Sequence, residues 1–229
     1  MTFAGDSILV LLDVTPAGEL AKSSAGLLGA AATVGTPVAL VVSDAPGLPE
    51  AAGALGAASV LVATPGKGLT AEVLAAAIRR TGFDLVIAGN LSTDGSGGVM
   101  AAMVAELLDV PNLTTLNSVQ IGEGTVSGER ASDGATMQVS AELPAVISIT
   151  EALPDARFPN FKGIMAAKKK PFETVTLEEL GIEPEDANAS RSIVLALSEK
   201  PPREAGTKIV DEGDAGEKLA EFLVQNRLV

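Results

Sequence analysis

The chain has 229 residues, 47% of them hydrophobic, and a formal charge of −13. That is enough for one large domain, or a domain with an extension, around a full apolar core. It contains no His, Cys, Trp or Tyr, which excludes thiolate nucleophiles, histidine triads, imidazole acid–base work, thiolate or imidazole metal sites and disulfides.

The acidic balance argues against a nucleic-acid partner and against adhesion to anionic membranes. No apolar run approaches the roughly 18 residues of a spanning helix, and the first residues lack the layout of a secretory signal, so no membrane insertion and a cytoplasmic location are expected. Carboxylates, Lys, Arg, Ser and Thr remain for chemistry, and a binding or docking role gains weight over catalysis. The scattered acids show no metal-ligand spacing.

In chain order, Ser7–Val14 is a nearly continuous apolar run, as in a strand buried on both faces. Thr15–Gly18 reads as a turn and Glu19–Thr33 as a helix. Thr36–Ser43 is a second strand, Glu50–Gly56 a short helix, Ala58–Ala63 a third strand and Thr70–Arg80 another helix. Phe83–Ala88 is the fourth strand. Strands alternating with helices predict an α/β fold, a Rossmann-like parallel sheet covered on both faces. After Pro111 the runs Leu113–Ile121, Thr125–Ala131, Thr136–Leu143 and Ala145–Thr150 predict an antiparallel meander added to that core. Glu151–Gly163 reads as irregular, Thr176–Leu180 as a short helix, Gly181–Arg191 as a linker and Ser192–Leu197 as a last strand. Asp211–Leu228 reads as an amphipathic helix with Leu219, Phe222 and Leu223 on one face. The expected division is a nucleotide-binding unit over 1–185 and a C-terminal helical arm over 186–229.

Ligands of parallel sheets sit at the carboxyl ends of strands, where strand order reverses. Two candidates for such an end are Asp13–Gly18 and the loop after Ala88. The second runs Gly89-Asn90-Leu91-Ser92-Thr93-Asp94-Gly95-Ser96-Gly97-Gly98 into a helix patterned by Met100, Met103, Val104, Leu107 and Leu108. Glycines let a ligand approach the backbone, and free N–H groups with the helix dipole favour an anion. The run is neither a Walker loop nor a GxGxxG fingerprint, so by itself it reads first as a tight β–α connection. Asp94 suits a ribose hydroxyl or a helix cap; Ser92, Thr93 and Ser96 suit a phosphate or local backbone. Phe158 and Phe161 stand among prolines and account for two of only six Phe, which suggests an apolar contact made on purpose.

Several stretches together resemble the beta subunit of the electron-transfer flavoproteins. They are Asp84–Gly89 with Ser92 and Asp94; Leu108, Pro111 and Thr114; Arg130–Gly134; Leu143-Pro144-Ala145-Val146; Leu153 to Arg157-Phe158-Pro159; Ile164 to Pro171; and Pro201–Gly206 leading to Glu221-Phe222-Leu223. The resemblance implies a Rossmann-like sheet of the adenine-nucleotide hydrolase-like kind with an antiparallel addition. It implies pairing with an alpha subunit that holds most of the FAD contacts, and an AMP, or in bifurcating relatives a second FAD, in the beta subunit. It implies electron passage from flavin-dependent dehydrogenases to a quinone-linked or other acceptor. The nucleotide set it implies is Leu11, Gly89, Asn90, Ser92, Thr93, Asp94, Gly95, Ser96, Gly97, Gly98, Val99 and Met100. The docking set is Phe158, Phe161, Ile164 and Met165, with Phe161 where the family usually carries an apolar Leu anchor. Lys168-Lys169-Lys170 beside it reads as a solvated run or as a steering patch for acidic partners.

The stretch before Phe83 looks more like the N-terminal domain of an alpha subunit, which binds no nucleotide. Asp13 stands where the family's beta subunits carry Lys, and Ala21–Leu28 replaces an Asn-Pro-aromatic segment. Asn90, Leu91 and Val99 stand where basic residues and Gln are usual. Two further readings stay open: a stand-alone adenine-nucleotide sensor of the universal-stress type, and a structural subunit whose nucleotide site has decayed.

Overall fold

The apolar runs of the first half become parallel strands because both of their faces are buried. The computed structural model describes residues 3, 5–65, 70–92, 95–153, 161–183, 196, 198, 200–202, 206, 208 and 210–229. Its elements begin β1 (Ser7–Leu12), α1 (Ser23–Ala32), β2 (Thr36–Val42), α2 (Leu48–Leu55), β3 (Ser59–Ala63), α3 (Thr70–Thr81), β4 (Leu85–Gly89) and α4 (Met100–Leu108). They continue with β5 (Asn112–Leu116), β6 (Gln120–Gly122), β7 (Thr125–Ser132), β8 (Ala135–Glu142), β9 (Ala145–Ile149), α5 (Phe161–Ala167), β10 (Phe172–Val175) and α6 (Ala215–Gln225). The main sheet has seven strands in the order β10-β3-β2-β1-β4-β9-β5, all parallel. The expected α/β architecture with an antiparallel addition and a C-terminal helix is therefore present.

Side chains alternate across each strand. Ile8, Val10 and Leu12 join Leu85, Ile87, Ile147 and the buried residues of α1 and α2 in one core layer. Leu9, Leu11, Val38 and Leu40 join Val86, Val146 and the buried residues of α3 and α4 in the other. Strand order reverses between β1 and β4, so the crevice at their carboxyl ends is flanked by the segment after β1 and the loop after β4.

Five expectations are corrected. The first helix starts at Ser23, because residues 14–21 close a small loop first: Val14 bridges Leu20, and the Ala21 N–H donates to the Asp13 carbonyl at 2.9 Å. The run Leu113–Ile121 is two strands in two sheets. The break falls at residues 117–119, while Thr115, with φ +58, bulges β5 itself, and its N–H donates to the buried Ser148 Oγ at 2.9 Å. β9 belongs to the parallel sheet, between β4 and β5, leaving a meander of β6, β7 and β8 only. Residues Phe161–Ala167 are helical, and Phe172–Val175 forms an edge strand beside β3 that the sequence reading omits. Thr176–Leu180 is a run of hydrogen-bonded turns.

Ile193–Val229 is a second unit. In it α6 carries Leu219, Phe222 and Val224 as exposed apolar side chains, and none of its residues is buried; Leu228, just past the helix, is exposed as well. The strand expected at Ser192–Leu197 falls mostly outside the described residues, as does most of the Gly181–Arg191 segment.

Candidate functional site

β4 delivers Gly89 to the crevice. A Cβ there would meet Leu27 Cδ1 of α1 at 3.7 Å, which shows how closely α1 borders this strand end. The loop then turns through Ser96 (φ +48) and Gly98 (φ +64). Ser96 Oγ donates to the Ser92 carbonyl at 3.1 Å, and a Cβ on Gly98 would meet Leu91 Cδ2 at 3.1 Å. The loop thus folds back on itself, and Gly98 takes its left-handed conformation without strain.

Gly95, Ser96, Gly97, Gly98, Val99 and Met100 are all exposed, while Asn90 and Ser92 are half-buried. Val99 caps the start of α4 without a side-chain hydrogen bond. The first N–H groups of α4 have no intrahelical acceptor, and Met100, which leads them, is exposed. Leu11 lies in β1 with its side chain in the core beneath α3 and α4, so that side chain is not offered to the site. Thr93, Asp94 and Phe158 lie outside the described residues.

The charge around the crevice is acidic. No Lys or Arg occurs between Phe83 and Leu108, and Asp13 and Asp44 follow the ends of β1 and β2. Ser24 Oγ, in the first turn of α1, is buried with no hydrogen-bond partner. A nucleotide phosphate would fit here through backbone N–H groups of the glycine loop, not through side-chain cations. The loop also displays Leu91, Val99, Met100 and Met103 at its rim, all exposed. This apolar fringe goes unnoticed in the sequence, where Met100 and Met103 read as core positions of α4. A separate cleft, lined by Ile78, Arg79, Phe83, Leu108 and Pro144, lies at the amino ends of β4 and β9, away from the loop.

The second candidate surface is α5. Phe161, Ile164 and Met165 sit at i, i+3, i+4 and form one apolar face. Phe161 is 80% exposed, Ile164 42% and Met165 49%. The opposite side buries Ala167 against α2: a Cβ on Gly53 would stand 3.2 Å from the Ala167 Cβ. Lys168 and Lys169 are exposed, whereas Lys170 is half-buried and its Nζ donates to the Gly53 carbonyl at 2.8 Å. Burial lowers the Lys170 pKa below the usual lysine value. The three lysines are thus not one solvated run.

An electron transfer flavoprotein domain model matches residues 8–180. The chain is 48% identical over 151 residues to the electron transfer flavoprotein subunit beta of Mycobacterium tuberculosis, covering 65% of this chain and 56% of that one. It is 47% identical over 151 residues, with the same coverage, to the subunit beta of Mycobacterium leprae. It is 31% identical over 159 residues to the subunit beta of Bacillus subtilis, covering 69% of this chain and 61% of that one. The matched stretch spans a little over half the length of these curated relatives. On the fold, the glycine loop and this similarity, the chain belongs to the electron transfer flavoprotein domain family, on the side of its beta subunits.

Proposed function

We propose that the chain is the beta-type subunit of a heterodimeric electron transfer flavoprotein, working as an electron carrier and not as a catalyst of bond-making chemistry. It pairs with an alpha subunit that carries FAD. Electrons pass from a flavin-dependent dehydrogenase through that FAD to a quinone-linked or other acceptor. The observation that carries this reading is the exposed face of α5. Phe161, Ile164 and Met165 are displayed together on one exposed helix face, with Phe161 80% exposed, as an interface anchor requires. Lys168 and Lys169 flank it and suit long-range attraction of an acidic partner.

The loop Gly89–Met100 is proposed to hold an AMP-type phosphate by its backbone, with Ser92, Ser96, Thr93 and Asp94 as polar neighbours. Its lack of cations makes the site weaker than one lined by Lys or Arg.

Two measurements test the proposal. Replacing Phe161 with Ala should slow electron transfer from the partner dehydrogenase at least tenfold, the scale of a lost anchor of about 2 kcal/mol, with folding unchanged. An unaltered rate removes the docking role. Denaturing the purified complex and identifying released nucleotides should yield FAD and AMP. FAD without AMP would strike out the loop as a nucleotide cradle and leave the carrier role.

A further inference from the structure

The three lysines after α5 occupy different environments, and the difference begins in α2. Gly53 lies inside that helix, where glycine costs about 1 kcal/mol relative to Ala. The position needs it for close approach: an added Cβ would stand 3.2 Å from Ala167 Cβ and 3.3 Å from Lys170 Cδ. Gly53 also lies in the last turn of α2, whose final carbonyls have no partner further along the helix. Its carbonyl accepts the Gly56 N–H at 3.3 Å and Lys170 Nζ at 2.8 Å. The last turn of α2 holds no basic residue of its own. Lys170 supplies that cation from 117 residues away, at the negative end of the helix dipole. The next residue, Pro171, accepts the Val60 N–H at 3.1 Å and starts the pairing of β10 with β3.

From this geometry we infer that Lys170 is a positioning residue: it pins the carboxyl end of α5 to the end of α2 and so sets how the Phe161–Ile164–Met165 face is presented. The inference rests on the docking role proposed for that face. α5 has only seven residues, too few to be helical by itself. Tertiary contacts add the rest, the Gly53–Ala167 contact and the Lys170 bond among them. Lys168 and Lys169, exposed on the same turn, have no part in the pin. The roles therefore divide: Lys170 acts through geometry and is insensitive to salt, while Lys168 and Lys169 act through charge and are screened by it.

The test uses the full chain in complex with its flavin-bearing partner, and compares K170M, K170R, a K168Q/K169Q double variant and F161A. Met keeps the apolar stem and loses the donor. Amide exchange in the peptide covering Phe161–Ala167 should quicken about tenfold in K170M, the scale of a lost hydrogen bond to a charged group, return toward wild type in K170R, and stay at the wild-type rate in K168Q/K169Q. Exchange in β1 and β4 should not change. In electron transfer from the flavin-dependent dehydrogenase that reduces the wild type, K170M should raise KM severalfold at low and high salt with kcat unchanged. The K168Q/K169Q effect should disappear at high salt. Wild-type exchange rates in K170M would overturn the pin. A raised KM in F161A with a wild-type KM in K170M would overturn the positioning role alone. A wild-type KM in both would overturn the docking reading, and the positioning role with it.

Discussion

Single positions decide where the small sheet meets the large one. Gly128 lies in β7, on the row that also carries Val126 and Arg130, and faces the chain where β5 gives way to β6. A Cβ there would overlap the Ser118 carbonyl oxygen and crowd Leu116 Cδ1 at 3.3 Å. The Asn117 N–H donates to the Glu129 carbonyl at 2.7 Å, so the two backbones are already joined at this point. The requirement is for space, since the obstacle is backbone and cannot swing aside. Gly128→Ala should destabilise the protein by about 1–3 kcal/mol, read as a lower midpoint in chemical denaturation. A midpoint equal to wild type would show that the crossing yields freely. Thr115 is the neighbouring strained residue. A β-branched side chain at positive φ costs on the order of 1–3 kcal/mol, and the Ser148 hydroxyl that accepts its N–H helps to hold it there. Nothing in the local sequence announces either constraint, because both come from contacts with distant chain.

At the scale of elements, the turn after β10 shows how a short segment is closed. The Thr176 N–H donates to Glu179 Oε2 at 2.8 Å, and the Glu179 N–H donates to Thr176 Oγ1 at 3.2 Å. This is the reciprocal arrangement of a capping box, here closing turns that Gly181 ends at φ +70. The backbone N–H of Thr176, then its hydroxyl, holds the Glu179 carboxyl below the usual carboxylate range. A depressed folded-state pKa contributes stability that is present above the unfolded pKa and lost as pH falls through the folded one. Glu179→Ala should therefore lower Tm at neutral pH, and the gap to wild type should close as pH drops below the carboxylate range. A gap of constant size would show that the carboxylate charge is irrelevant. The sequence reads Thr176–Leu180 as a short helix, and Thr176 with Glu179 has the spacing of a helix start. The turns stop short because Leu177 is drawn into the core beside Val175, and glycine follows.

At the scale of the whole molecule, the chain presents apolar surfaces that its own core does not use. Among the described residues, α5 displays Phe161 and α6 displays Leu219, Phe222 and Val224. No described helix is long and apolar enough to cross a membrane. The pairing proposed above with an alpha-type subunit would give the exposed α6 face a use. Phe222→Asp should then weaken that pairing at least tenfold in sedimentation or titration, as expected for a buried aromatic anchor, while the chain's own unfolding midpoint stays the same. Loss of stability in the isolated chain would instead show that Phe222 packs internally.

By itself the sequence determined the parallel α/β core and the glycine loop at the end of its fourth strand. Ser7–Leu12, Thr36–Val42, Ser59–Ala63 and Leu85–Gly89 are apolar on both faces, and only a sheet covered twice accommodates such runs. Their pattern is local, so it can be read residue by residue. It also exposed the loop's missing cations and the scarcity of aromatics that drew attention to Phe161. Only the tertiary structure decided which strand lies beside which. Ala145–Ile149 has the same apolar run whether it closes a meander or enters the parallel sheet, and pairing with β4 and β5 settles it. Phe172–Val175 fully buries one of its four residues, Val175, and so carries no readable period. α5 is too short to be recognised by propensity; it is a helix because Gly53 admits Ala167 and Lys170 reaches the end of α2. Those contacts join residues more than a hundred positions apart, and that distance is why the exposed apolar face of α5 was legible as residues but not as a surface.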